Sequence, residues 1–116
     1  MSNVVIYHNP SCGTSRNTLA MLREKGVEPK VVEYLKAGWT REQLETLFKR
    51  MGVSARQALR VRGTKAEELG LTAPGATDAK IIAAMVADPI LVERPIVETP
   101  KGAALCRPAE TCLKLI

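Results

Sequence analysis

The chain has 116 residues, 46% hydrophobic and 3% aromatic, and carries 17 Lys and Arg against 12 Asp and Glu for a formal net charge of +5. That length suits one compact domain over residues 1–116, with a core of Val, Leu, Ile, Ala and Met. No run of consecutive basic residues marks a nucleic-acid surface, no stretch approaches the roughly 18 apolar residues of a membrane span, and Met1-Ser2-Asn3-Val4-Val5-Ile6 has no basic lead into a signal segment. A cytoplasmic monomer is expected, with neither nucleic acid nor membrane as partner.

In chain order, Val4-Val5-Ile6-Tyr7 is a continuous apolar run of the kind that forms a buried strand. Asn9-Pro10 is turn chemistry, and a helix is expected from about Thr14, with Leu19, Leu22 and Ala20 inward and Gly26 as its stop. Lys30-Val31-Val32-Glu33-Tyr34-Leu35 reads as a second strand, completing a βαβ unit with a right-handed crossover.

The middle is expected to be helical. Thr40 with Gln43 forms a capping box ahead of Leu44, Leu47, Phe48 and Met51, and Gly52 ends that helix. Ser54 with Gln57 and Thr64 with Glu67 offer two further boxes, each opening a short helix. After the loop Thr72-Ala73-Pro74-Gly75-Ala76, a helix starts near Thr77, turns Ile81, Ile82, Met85 and Val86 inward, and stops before Pro89.

The last third changes character. Arg94-Pro95-Ile96-Val97-Glu98-Thr99 and Ala103-Ala104-Leu105-Cys106 read as a hairpin turned at Pro100-Lys101-Gly102. Arg107-Pro108 then opens a final helix that packs through Ala109, Cys112, Leu113 and Ile116. The order βαβ, small helices, ββα predicts an α/β protein with a four-stranded mixed sheet on the thioredoxin-like plan. A helical insertion at about 40–88 separates the halves. In such a sheet the proline opening the third strand is commonly cis and faces the nucleophile, so a cis Arg94–Pro95 bond is expected, X-Pro being the linkage where cis is accessible.

Cys12 is the sharpest candidate. It follows a strand and precedes a helix, where unpaired N–H groups and the helix dipole favour a thiolate. A buried structural cysteine is the competing reading; its setting among Asn9, Ser11, Gly13, Thr14 and Ser15 disfavours it. His8 and Arg16 can add positive charge and Ser15 a hydrogen bond, although His8 serves equally as partner to a loop carbonyl. Position 15 is serine where dithiol oxidoreductases need a resolving cysteine, so the second thiol must come from elsewhere, such as glutathione. Position 18 is threonine, so the Cys-x5-Arg loop of cysteine phosphatases is absent.

An oxyanion at Cys12 would therefore be gripped by remote arginines. Arg60, Arg94 and Arg107 fall at element ends, and antiparallel pairing of the hairpin brings 94 and 107 together; each is also, by residue type, an ordinary solvated arginine. Guanidinium offers fixed bidentate donors at any physiological pH. Cys106 and Cys112 read as core residues, and a zinc site of His8, Cys12, Cys106 and Cys112 matches no familiar spacing.

Tyr7-His8-Asn9-Pro10-Ser11-Cys12-Gly13-Thr14-Ser15-Arg16-Asn17-Thr18-Leu19 closely resembles the amino-terminal motif of the glutathione/glutaredoxin-coupled arsenate reductases. The resemblance continues through Arg56-Gln57-Ala58-Leu59-Arg60, Glu68-Leu69-Gly70-Leu71, the run from Pro89 to Val97, and Leu105-Cys106-Arg107-Pro108. It departs at Val61-Arg62-Gly63-Thr64-Lys65 and in ending at Ile116, where well-known members continue.

The resemblance implies a thioredoxin-like fold with Cys12 as nucleophile, Arg60, Arg94 and Arg107 holding arsenate, and His8 favouring the thiolate. It implies no metal or bound cofactor, with glutathione as co-substrate and glutaredoxin as partner. Two other functions are compatible with this fold: a glutathione-dependent thiol reductase acting on another substrate, and an Spx-type regulator that binds RNA polymerase. The redox switch of that regulator is commonly Cys-x-x-Cys, which Ser15 breaks.

Overall fold

A computed structural model describes residues 3–116. The chain forms two compact units, one of Met1–Ala37 with Arg94–Ile116 and one of Gly38–Glu93.

The first unit holds the sheet. Strands β1 (Val5–His8), β2 (Lys30–Glu33), β3 (Ile96–Thr99) and β4 (Gly102–Leu105) lie in the order β2-β1-β3-β4. β1 is parallel to β2 and antiparallel to β3, and β3 is antiparallel to β4. This is the expected mixed thioredoxin-like sheet. Helix α1 (Gly13–Glu24) supplies the crossover between β1 and β2. It ends in a Schellman motif, Gly26 N–H donating to Arg23 O and Val27 N–H to Leu22 O, with Gly26 at φ +78°. Leu22, Ser15 and Thr18 form its buried face, whereas Ala20, expected inward, is exposed.

The second strand stops at Glu33, because Tyr34–Ala37 coils into a single helical turn, α2, and buries the Tyr34 ring. The closing element, Ala109–Leu115, is a 3₁₀ helix, and Pro108 caps it instead of occupying its first turn. With three residues per turn, Ala109, Cys112 and Leu115 share one face. Ala109 and Cys112 are buried, Leu115 packs on the core, and Leu113 is left exposed, contrary to an α-helical spacing. Val4, Ile6, Leu22, Val97, Cys106 and Cys112 form the core of this unit. Burial pushes the Cys106 thiol up to about 12 and also raises Cys112, so both are inert packing groups.

The second unit contains α3 (Arg41–Met51) and α4 (Asp78–Ala87). Thr40 and Gln43 make the expected reciprocal capping box, Gly52 ends α3 at φ +69°, and Leu44, Leu47 and Phe48 are buried. Thr77 caps α4, which buries Ile81, Ile82 and Met85; Val86, expected inward, is exposed.

The two intervening short helices do not form. Ser54 and Gln57 exchange both capping bonds, yet only one turn follows before Leu59 pairs with Val92. Thr64 Oγ1 accepts from Ala66 N–H and lies within bonding distance of the Arg60 and Val61 carbonyls, fixing a chain of turns. Among the described residues no helix is long and apolar enough to cross a membrane.

Candidate active site

The end of β1 and the start of α1 are joined by a tight turn. Cys12 N–H donates to Asn9 O at 3.0 Å, and Ser11 N–H donates to Asn9 Oδ1 at 2.9 Å, an Asx turn. Asn9 is 4% exposed, and its own N–H donates to Ser15 Oγ at 3.1 Å. Arg16 closes the turn from outside, its Nη1 donating to Pro10 O at 2.8 Å. Asn9, read from sequence only as a turn former, thus holds the nucleophile's loop through three of its atoms.

Cys12 is the N-cap of α1, with extended backbone at φ −99° and ψ 121°, and its carbonyl accepts the helix's first bond from Arg16 N–H. A cap side chain ordinarily offers an oxygen to the N–H two or three residues on. Here the cap residue carries sulfur, and its side chain makes no such cap hydrogen bond. Burial pushes the Cys12 thiol up, but Ser15 N–H, the side chains of Arg94 and Arg107, and the Arg94 charge together outweigh it, leaving the pKa below the ordinary thiol value.

Ser15 therefore reaches Cys12 through its backbone, since its hydroxyl is engaged elsewhere. Ser15 Oγ shares a 2.6 Å hydrogen bond with His8 Nδ1 inside the unit. Burial is the largest influence on His8 and lowers its pKa; Arg23 and Arg16 push the same way and Glu33 opposes them. That direction disfavours a positive charge on His8, and its 2.6 Å bond ties the ring to Ser15.

The hairpin delivers two of the three arginines. Ile96 pairs with Leu105, and Cys106 N–H donates to Pro95 O at 2.9 Å, so Arg94 and Arg107 sit opposite each other just beyond the ladder. Arg107 Nη1 donates to Arg94 O at 3.0 Å and approaches Cys12 Sγ at 3.8 Å. Both Arg94–Pro95 and Arg107–Pro108 are cis; the first was expected and the second was not.

Arg94 is 9% exposed, and its Nε and Nη1 are buried without a hydrogen-bond partner. Buried guanidinium nitrogens without partners are costly. Beside a low-pKa thiol and a second guanidinium, the chemical complement of Arg94 is an oxyanion. Arg60 lies in the other unit, its Nη1 bonded to Glu93 Oε1 at 2.9 Å. Among the described residues no group of three His, Cys, Asp or Glu is placed to hold a metal ion.

Residues 7–115 match the ArsC family. The chain belongs to that family. It is 51% identical over 113 residues to an arsenate reductase of Rhizobium meliloti strain 1021, covering 97% of this chain and 81% of the relative. It is 50% identical over 116 residues to the arsenate reductase of Escherichia coli K12, covering 100% and 82%. An arsenate reductase from Vibrio cholerae superposes with a TM-score of 0.93 at 38% identity, covering 97% of both chains. The ArsC fold therefore extends over essentially all of this chain.

Proposed function

We propose that this ArsC-family chain reduces arsenate to arsenite, with Cys12 as nucleophile. The observation that carries the reading is the buried Arg94 guanidinium, its Nε and Nη1 without a hydrogen-bond partner, beside a low-pKa thiol that Arg107 also contacts. The arsenate reductases to which the chain is half identical supply the substrate.

The Cys12 thiolate attacks arsenic(V), and one arsenate oxygen leaves as water after protonation. Arg94 and Arg107 hold the remaining oxygens and stabilise charge that develops on them. The adduct meets no second protein thiol at position 15, so the glutathione thiol attacks arsenic and a second oxygen leaves as water. A glutaredoxin thiolate then attacks the glutathione sulfur and forms a mixed disulfide, and the broken As–S bond leaves its electron pair on arsenic, now As(III). Water hydrolyses the remaining Cys12–As bond, which releases arsenite and returns Cys12 as thiol. No bound cofactor enters the cycle. Three free cysteines suit a reducing, cytoplasmic compartment, and a single chain supplies every residue invoked, so a monomer suffices.

Arsenite release with glutathione and glutaredoxin tests this. Wild type is expected to turn over and Cys12→Ser to give only background; turnover that survives Cys12→Ser removes the mechanism, and none by wild type removes the substrate. Losing one charge-assisted contact in Arg107→Ala should raise KM about 10- to 100-fold, the equivalent of about 1.5–3 kcal/mol.

A further inference from the structure

Helix α1 turns one face away from the core. Arg16, Leu19, Ala20 and Arg23 follow one another at the three- and four-residue spacings that share a helix face. Ala20 is exposed and Leu19 only partly buried. That face borders a groove of about 670 Å³, which Pro10 of the nucleophile's turn also lines. Small-molecule sites span roughly 300–1,000 Å³. The groove lies wholly in the unit that carries Cys12.

Arg16 ties the groove to the nucleophile. Its Nη1 donates to Pro10 O at 2.8 Å, and its Nη2 lies 3.7 Å from where a side chain at Gly13 would begin. The guanidinium therefore rests against the residue two before Cys12 and the residue just after it. Arg23, further along the same face, gives Nε and Nη2 to Glu28 Oε2. Among the described residues Arg16 pairs with no carboxylate, so the same side-on pair of donors is free on Arg16. Glu24 closes the far end of the groove, eight residues on and about 12 Å along the helix. That exceeds the Debye length of about 8 Å at physiological salt, so Glu24 does little to repel an anion at Arg16.

We propose that Arg16 anchors glutathione by its glycyl carboxylate and so presents the cysteinyl thiol to arsenic on Cys12. This rests on the reading that glutathione attacks the Cys12 adduct. Charge complementarity selects the ligand group: Nε and Nη2 match the two oxygens of a carboxylate. In glutathione the cysteinyl and glycyl Cα atoms are one trans peptide apart, about 3.8 Å. A carboxylate held beside Gly13 thus keeps the thiol at the same turn as Cys12. Leu19 and Ala20 are left to meet the aliphatic part of the γ-glutamyl arm.

KM is measured for glutathione and for its glycyl ethyl ester, which keeps the thiol and caps that carboxylate. The proteins are wild type, Arg16→Ala and Arg16→Lys, with glutaredoxin in excess so that its own use of thiol is common to every arm. Calorimetric binding of S-methylglutathione, which has both carboxylates and no free thiol, reads the site without turnover. For wild type the ester should show a KM about fivefold above that of glutathione, the scale of an exposed ion pair with good geometry. Arg16→Ala should raise KM for glutathione to the ester's value and leave the ester's unchanged. Arg16→Lys, a point charge without the fork, should fall between. S-methylglutathione should lose about fivefold in affinity in Arg16→Ala. KM for arsenate and the pH midpoint of Cys12 alkylation should not move, because Arg94 and Arg107, and not Arg16, act on that thiol.

Equal KM values for glutathione and ester in wild type overturn the proposal. So does an Arg16→Ala effect that is the same for both thiols, or that shifts the arsenate KM and the alkylation midpoint with it, since Arg16 then only braces the turn. Arsenite release that needs no glutathione removes the reading of the co-substrate. Arg16-dependent binding of S-methylglutathione would still support the site in that case, and binding indifferent to Arg16 would overturn it as well.

Discussion

At the scale of single residues, the chemistry turns on the Cys12 proton. Burial alone would make this thiol less acidic; the Ser15 N–H, Arg94 and Arg107 reverse the sign. Alkylation of Cys12 followed against pH should give a midpoint below the free-thiol value of about 8.5, and Arg107→Ala should move that midpoint up. A midpoint indifferent to Arg107→Ala would mean that the 3.8 Å approach carries no electrostatic weight. The same shift has a stability consequence. Because the folded pKa lies below the unfolded one, the thiolate contributes stability that is fully present above the unfolded value, and it is lost as pH falls through the folded value. Cys12→Ser should remove that part of the pH dependence, read from denaturation midpoints across the same range. Position, polarity and the helix start made Cys12 legible in the sequence. The downward shift at His8 was not, because it depends on how deeply the ring is buried and on charges brought from Arg23 and Glu33.

At the scale of elements, local signals were legible where one residue type meets one backbone demand. Thr40 and Gln43 make both bonds of their box, and Gly52 takes the left-handed conformation that ends α3. Thr40→Ala should therefore cost about 1 kcal/mol in a denaturant melt, and Gly52→Ala about 1–2 kcal/mol from the left-handed backbone. The same signals misled at Ser54 and Thr64. A hydroxyl can satisfy an isolated turn as readily as a helix start, so a capping pattern without an apolar stripe behind it does not build a helix. At the carboxyl end, Ala109, Cys112, Leu113 and Ile116 matched an α-helical stripe. A three-residue repeat through Ala109, Cys112 and Leu115 meets the core, with Ile116 packed there as expected and only Leu113 left exposed. The choice depends on what the sheet presents, which no window of sequence contains.

At the scale of the whole molecule, the four-stranded mixed sheet followed from rules of connection: a right-handed βαβ and a tight hairpin leave few ways to complete four strands. The convergence of Arg94 and Arg107 followed too, since hairpin register determines it. The anchoring of Arg60 by Glu93 did not, because it needs the pairing of Leu59 with Val92 across 33 residues of sequence (92 − 59). Arg94 then exposes a conflict between stability and function. Its guanidinium is buried with two nitrogens unpartnered, which costs the ligand-free protein about 1–3 kcal/mol for each such group. Arg94→Met keeps the apolar stem and removes the charge. Measured where Cys12 is protonated, so that no thiolate offsets the guanidinium, this variant should melt above wild type without arsenate. Saturating arsenate should then reverse the order. At 100 times its Kd a ligand adds about 2.7 kcal/mol to the protein that binds it, and only wild type should receive that increment. A variant that melts lower than wild type in both conditions would make Arg94 a structural arginine and remove the strongest argument for an oxyanion at Cys12.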